Sequence, residues 1–252
     1  DARMDRVAAA LQRDGLQAGD AIALCAATSI DYATVYLGAL RAGVVVAPLA
    51  PGSTPEAFAR MLLDAGARVL FTDALAAETV GDAGRGAVAR VALDGSGAGQ
   101  PLEDWLATPG THPAPVVVEP GSAFNIIYSS GTTGAPKGIV QSHGMRWAHV
   151  TRGARYGYGP DTVTLLSTPL YSNTTLVVFF PTLAFGGAVL LMPKFDAAAY
   201  LRLAEAQHVT HTMLVPVQYQ RLMARPDFDA HDLSSFRMKF STSAPFNAAL
   251  KA

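Results

Sequence analysis

Eleven consecutive residues carry most of the chemistry legible in this chain: Tyr128-Ser-Ser-Gly-Thr-Thr-Gly-Ala-Pro-Lys-Gly138. Four hydroxyls (Ser129, Ser130, Thr132, Thr133), three glycines (Gly131, Gly134, Gly138) and Lys137 crowd one short loop after an apolar run. Glycine lets backbone N–H groups approach an anion closely, because no Cβ intervenes. Hydroxyls add donors with little bulk. Lys137 supplies a mobile point charge, and Pro136 stiffens the turn beside it. Together they describe a loop that wraps a polyphosphate. The pattern G-x-x-x-x-G-K-[ST] does not fit, since Pro136 stands where it needs glycine and Gly138 where it needs a hydroxyl. The dinucleotide spacing G-x-G-x-x-G fails as well.

Other reactive types are scattered. Cys25 is the single cysteine and lies in the apolar run 21–27, so it reads as a buried core thiol. His208 and His211 lack a third metal ligand at suitable spacing and read as strand-edge packing. His143 starts a helix that runs through Trp147, and His231-Asp232 reads as a solvated loop. No Ser-His-Asp or Cys-His arrangement is supported.

The elements that must position the loop alternate along the chain. Apolar runs at 21–26, 44–48, 68–72 and 89–93 read as strands, with helices between the first three. Ser53-Thr54-Pro55-Glu56 is a helix start, with a hydroxyl cap, Pro in the first turn and an acid near the positive end of the dipole. Gly66 ends that helix. The glycine-rich stretch 81–110 reads as loops around one short strand. Runs at 123–130 and 138–142 flank the phosphate loop. Strands follow at 162–167, 188–193, 210–216 and 237–242, with helices near 196–206 and 217–224. Strands that are apolar throughout imply sheets covered on both faces, hence an α/β fold.

Residues 162–193 hold no charge, but Pro181, Gly186 and Gly187 interrupt the most apolar part. A buried helix, a Gly-Gly turn and a buried strand fit it better than a membrane span. Across 252 residues, 19 Lys+Arg against 20 Asp+Glu give a net charge of −1, which disfavours a general nucleic-acid binder. Half the residues are hydrophobic and 15% are charged, which excludes disorder. The N-terminus has no signal-peptide pattern, and a cytoplasmic protein is expected.

The string YSSGTTGAPKGI resembles the phosphate-binding signature of the adenylate-forming superfamily. Residues 6–51 are similar to that family's N-terminal stretch, with Gly19-Asp20 and Arg41-Ala-Gly43 before a strand. Leu166-Ser-Thr-Pro-Leu-Tyr171, Gly186-Gly-Ala-Val-Leu190, Val215-Pro216 and Ser243-Ala244-Pro245 resemble later landmarks. The resemblance implies mostly parallel sheets sandwiched by helices, and ATP-dependent activation of a carboxylic acid to an acyl-adenylate. Transfer to a thiol, most often that of coenzyme A, follows. It places Ser129, Ser130, Gly131, Thr132, Thr133, Gly134 and Lys137 on the β- and γ-phosphates, with Lys137 and Thr133 in the catalytic step. The main chain at Ser243, Ala244 and Pro245 would lie along the adenine. Tyr171, Ser172, Asn173, Met213 and Gln218 would line the acyl pocket.

Ser172 stands where many acyl- and aryl-CoA synthetases have histidine, and the Asp that amino-acid adenylation domains use for an ammonium is absent. A CoA ligase is therefore favoured over an amino-acid-activating domain, with a non-catalytic nucleotide- or acyl-binding module as a further alternative. The family's Glu-containing Mg²⁺ motif and its C-terminal domain with a catalytic lysine have no counterpart here, so no metal ligand is expected in 1–252. The chain reads as a partial N-terminal domain, inactive alone, with a subdomain break near 110–122. Small-molecule acids are the expected partners. The oligomeric state is left open, a homodimer included.

Overall fold

The computed structural model describes residues 1–83, 86, 88–129 and 136–244. The chain divides into two compact units, Asp1–Arg146 and Trp147–Ala252. The segment 110–122 lies inside the first.

In the first unit the order is α1 (Ala2–Arg13), β1 (Ala21–Cys25), α2 (Ile30–Arg41), β2 (Val45–Pro48), α3 (Pro55–Asp64), β3 (Ala67–Thr72) and α4 (Ala74–Val80). Then come β4 (Ala89–Ala92), β5 (Gln100–Pro101), α5 (Leu102–Trp105), β6 (Ala123–Ser129) and β7 (Lys137–Ser142). The strands form a seven-stranded sheet in the order β5-β4-β3-β1-β2-β6-β7. Every pairing is parallel except β6–β7.

Side-chain caps start three of these helices, of which the sequence marked the one at Thr54. Ser29 Oγ accepts from Tyr32 N at 3.0 Å, Thr54 Oγ1 from Ala57 N at 3.2 Å, and Asp73 Oδ1 from Ala76 N at 2.8 Å. β1 and β2 are buried along their whole length, as strands in a doubly covered parallel sheet must be. Phe58, Met61 and Leu62 of α3 pack on Ala23, Cys25 and Leu70. Gly38 of α2 faces α1 so closely that a Cβ there would lie 2.6 Å from Val7 Cβ. The 81–110 stretch contains more than one strand: β5 pairs with β4 and α5 follows it.

The second unit continues from α6 (His143–Arg152), within which the division falls. A 3₁₀ turn follows at Gly153–Tyr156, then β8 (Val163–Leu166), α7 (Asn173–Ala184), β9 (Ala188–Leu191) and α8 (Ala197–Ala206). β10 (His211–Leu214), α9 (Pro216–Met223), a second 3₁₀ turn at Phe228–Ala230 and β11 (Met238–Ser241) complete it. Its four strands are all parallel, in the order β11-β10-β8-β9. Tyr200, Leu201 and Ala204 of α8 and Leu222 of α9 pack on Leu165 and Leu214.

Three expectations need correction. β9 is half-exposed rather than buried, because it is an edge strand that pairs only with β8. His211 lies within β10, fully buried with a neighbour on each side, and not at a sheet edge. His231 is not a solvated loop residue: its Nδ1 sits 2.7 Å from Glu205 Oε2, against α8. Among the described residues, no helix is long and apolar enough to cross a membrane.

Candidate functional site

The two strands around the glycine-rich loop form an antiparallel hairpin, with Ser129 opposite Lys137 and Tyr128 opposite Gly138. Residues 130–135 lie outside the described residues, and with them Ser130, Gly131, Thr132, Thr133 and Gly134. The two ends of the loop are described. Lys137, read from sequence as a loop residue, is the first residue of β7. It is exposed and, among the described residues, has no carboxylate partner. A cation left uncommitted beside a glycine- and hydroxyl-rich loop fits an anionic ligand such as a polyphosphate.

The base of this hairpin is clamped to α3. Tyr128 Oη donates to Asp64 Oδ2 at 2.6 Å and lies 3.1 Å from the Met61 carbonyl. Burial raises the Tyr128 phenol pKa, and the Asp64 carboxylate raises it further. The clamp leaves little room at Gly138. A Cβ there would lie 3.0 Å from Asp64 Oδ2 and 3.2 Å from Tyr128 Cε1.

In the second unit the candidate residues gather near the carboxyl ends of parallel strands, the edge where open α/β sheets bind ligands. Ser172 is the N-cap of α7, and its Oγ contacts Thr174 Oγ1 at 2.8 Å. Tyr171 and Asn173 flank it, both half-buried. Gln218 serves the start of α9: its Oε1 accepts from Val215 N at 3.0 Å, and its Nε2 reaches Ser167 Oγ at 3.4 Å. Ser243 follows β11 with φ +71°, one of two non-glycine residues of the described chain in the left-handed region. Ser243 and Ala244 are exposed, so main-chain groups at this strand end are presented to solvent. Pro245 lies outside the described residues. Among the described residues, no group of three or more His, Cys, Asp or Glu could hold a metal ion.

Met213 lines a cavity of about 280 Å³ with residues that the sequence did not single out. On β10 and β11, Met213 is the register partner of Phe240, so both side chains leave the same face of the sheet. Val177, Val178 and Pro181 of α7 form a second wall; Arg152, Tyr156 and Tyr158 line the region where α6 passes into the first 3₁₀ turn. The Tyr156 and Phe240 rings meet edge-on, with centroids 5.4 Å apart. Tyr171, Ser172, Asn173 and Gln218 are not among its lining residues.

His211 lies behind the tyrosines. Its ring is 4.4 Å from Tyr158, and its Nε2 lies 2.9 Å from the Tyr156 carbonyl. A carbonyl only accepts, so Nε2 carries the proton and Nδ1 faces the Thr210 hydroxyl at 2.8 Å. Burial lowers the His211 pKa, which keeps the imidazole neutral in this role. Nothing in the local pattern marks Arg152, Tyr156, Tyr158 or Phe240 as neighbours, because they come together only when α6, α7 and the sheet pack.

The chain matches the AMP-binding enzyme family over residues 1–252. It is 32% identical to 4-coumarate–CoA ligase 3 of Oryza sativa subsp. japonica, over 98% of this chain and 46% of that protein. It is 32% identical to a feruloyl-CoA synthase of an Amycolatopsis species, over 98% of this chain and 49% of that protein. Among solved structures, ATP-bound MatB from Rhodopseudomonas palustris superimposes with a TM-score of 0.86 at 30% identity, covering 99% of this chain and 50% of that one. A fatty acyl-CoA synthetase of Mycobacterium tuberculosis superimposes with a TM-score of 0.88 at 25% identity, over 99% of this chain and 49% of that one. The chain thus spans about half the length of these relatives, and with the family match over residues 1–252, the hairpin around the glycine-rich loop and the two mostly parallel sheets, it belongs to the AMP-binding enzyme family.

Proposed function

We propose that the full-length protein is an acid–thiol ligase, which activates a carboxylic acid with ATP and passes the acyl group to the thiol of coenzyme A. The carboxylate attacks the α-phosphorus of ATP, the bond to the bridging oxygen breaks, and acyl-adenylate and pyrophosphate form. The thiol sulfur then attacks the acyl carbon and AMP leaves. The observation that carries this reading is Lys137, an uncommitted cation at the mouth of a glycine- and hydroxyl-rich hairpin. The relatives matched over nearly the whole chain are CoA ligases by name, which supports the choice of acceptor.

In this reading Lys137 and donors from Ser129, Ser130, Thr132 and Thr133, with the main chain of Gly131 and Gly134, hold the β- and γ-phosphates. Charge that gathers on departing pyrophosphate meets donors already in place. Tyr128 and Asp64 hold the hairpin base still while this happens. Ser243, Ala244 and Pro245 present main-chain groups to the adenine. Mg²⁺ would add Lewis-acid stabilisation of the phosphates when bound; among the described residues no group of three or more His, Cys, Asp or Glu could hold it. We place residues 1–252 as part of an N-terminal nucleotide-binding domain, to be completed by a smaller domain that supplies a second lysine. An enzyme that consumes ATP and coenzyme A fits the cytoplasm.

A pyrophosphate-release screen of the full-length protein against a panel of carboxylic acids, with and without coenzyme A, tests this reading. Release should need both ATP and an acid, and acyl-CoA should form when the thiol is present. Lys137→Ala should lower kcat/KM for ATP at least ten-fold. Unchanged nucleotide kinetics in that variant would remove Lys137 from the site.

A further inference from the structure

The direction in which Lys137 reaches depends on which residue of β6 it faces, and the hairpin by itself specifies that weakly. β7 is the edge strand of its sheet, and Lys137 to Val140 are all exposed. Ile139 and Val140 leave opposite faces of the strand and are 50% and 62% exposed. A strand buried on neither face has no hydrophobic pattern to hold its register. The clamp from Tyr128 to Asp64 fixes β6 and leaves β7 to be placed by other means.

The pairing changes register once. From Asn125–Gln141 to Ser129–Lys137 the partners run in step, but Ala123 faces Ser142, so Phe124 is an extra residue on β6. This is a β-bulge, which re-aims the residues beyond it. If the Ala123–Ser142 register continued without the bulge, Lys137 would face Tyr128 and Ser129 would face Pro136. Lys137 would then leave the other face of the hairpin from Ser129, because side chains alternate with a period of two.

One side chain grips both sides of the bulge. Arg146, on α6, is 3% exposed. Its Nη2 donates to Gln141 Oε1 on β7, and its Cζ lies 5.5 Å from the centre of the Phe124 ring on β6. Gln141 and Phe124 are both buried, and the Phe124 ring also meets His143 edge-on at 4.9 Å. A single buried cation thus spans the bulged residue and a strand residue across from it. Burying a guanidinium is costly, and an apolar side chain of similar size would fill the space at less cost. The grip, and not the packing alone, accounts for arginine at this position.

We propose that Phe124 and Arg146 form a register lock for the glycine-rich loop: the bulge sets Lys137 opposite Ser129, and Arg146 holds the bulge through Gln141 and Phe124. Arg146 is thus a positioning residue, which acts on the nucleotide through Lys137. The inference rests on the ligase reading for its effect on ATP, and its test separates the two.

The test uses the full-length protein and Arg146→Met, which keeps an apolar stem and removes the grip. Register is read by oxidising two engineered cysteine pairs with copper–phenanthroline and mapping the cross-linked peptides. Ile126→Cys/Val140→Cys face each other in the structure; Ile126→Cys/Ile139→Cys would face each other after the slip. Arg146→Met should raise the yield of the second pair relative to the first at least three-fold. It should also weaken the Kd for ATP, measured by calorimetry without acid, and raise the KM for ATP, each at least five-fold. The KM for the most active acid of the screened panel should move less than two-fold. Phe124→Leu, which keeps the extra residue and removes the ring, should shift the same quantities in the same direction. Met145→Ala, an exposed neighbour on α6, should move none of them. A cross-link ratio that both Arg146→Met and Phe124→Leu leave unchanged overturns the lock, and so does an equal loss for ATP and acid, the pattern of a merely structural role. A shifted ratio with an unmoved Kd for ATP refutes the action through Lys137. Acid-dependent pyrophosphate release with an unmoved ratio refutes the lock and leaves the ligase reading intact. A shifted ratio and a weakened Kd for ATP, in a protein that releases no pyrophosphate with any acid, uphold the lock and refute the ligase reading.

Discussion

Replacing Gly138 by alanine has opposite expected signs, depending on whether the hairpin base is packed as the structure shows. Gly138 lies in a strand and has no positive φ, so alanine fits its backbone. With no neighbour in reach, the change would stabilise by about 0.4–1 kcal/mol, because the unfolded chain loses freedom. The structure puts three neighbours in reach. The new Cβ would lie 3.0 Å from Asp64 Oδ2, 3.0 Å from Ile126 Cγ2 and 3.2 Å from Tyr128 Cε1. Each must give by a few tenths of an ångström, and the Tyr128–Asp64 hydrogen bond at 2.6 Å ties two of them together. Overpacking of this kind costs about 1–3 kcal/mol. Asp64 is exposed and can be rehydrated, so losing its bond adds only about 0.5–1 kcal/mol. Offset by the entropy gain, the balance is a loss of about 1–2 kcal/mol.

Thermal unfolding of the full-length protein reads this as a midpoint lowered by about 2–8 °C, at two to four degrees per kcal/mol for a domain of this size. The double variant Asp64→Ala/Gly138→Ala should recover part of the loss, with a coupling of at least ~0.5 kcal/mol, because the carboxylate oxygen is one of the crowded atoms. ATP-dependent activity should fall along with stability, since the same clamp holds the loop ends. A midpoint equal to or above that of the parent protein would refute the reasoning and leave Gly138 as an ordinary flexible residue.

Gly187→Ala should be more damaging, by at least ~2 kcal/mol in chemical denaturation, since its Cβ would meet the Thr162 carbonyl oxygen at 2.7 Å and backbone cannot step aside. Cys25 should resist alkylation in the native protein and react promptly in denaturant: it is fully buried, and burial pushes its thiol up to about 12. Burial also raises the phenol pKa values of Tyr36, Tyr158, Tyr200 and Tyr219 above the ordinary 10.0. Their contribution to stability is complete below the unfolded value and is lost as pH rises through the folded values. Tyrosinate absorbance should therefore appear together with loss of helical signal above pH ~10, and Tyr200→Phe should flatten that alkaline fall.

The alternation of helices and apolar strands and the cap at Thr54 were legible along the chain, and residues 128–138 stood out by type as a candidate anion loop. They depend on residue types within a few positions of one another, which is the range over which caps and periodicity act. Cys25 was legible as core for the same reason. The pairing of Lys137 with Ser129, the clamp from Tyr128 to Asp64 and the two-residue strand at Gln100–Pro101 were not. Each depends on a partner chosen by packing, in the case of the clamp 64 residues away. The cavity shows the same limit. Met213 could be nominated from its neighbours in sequence, but Arg152, Tyr156, Tyr158 and Phe240 come from separate elements that meet only in the folded unit. Sequence alone thus determined the family and the fold class, and nominated one loop as the place for an anion. Tertiary structure decided which side chains face each other, because packing α7 on the four-stranded sheet is a long-range event that no local pattern specifies.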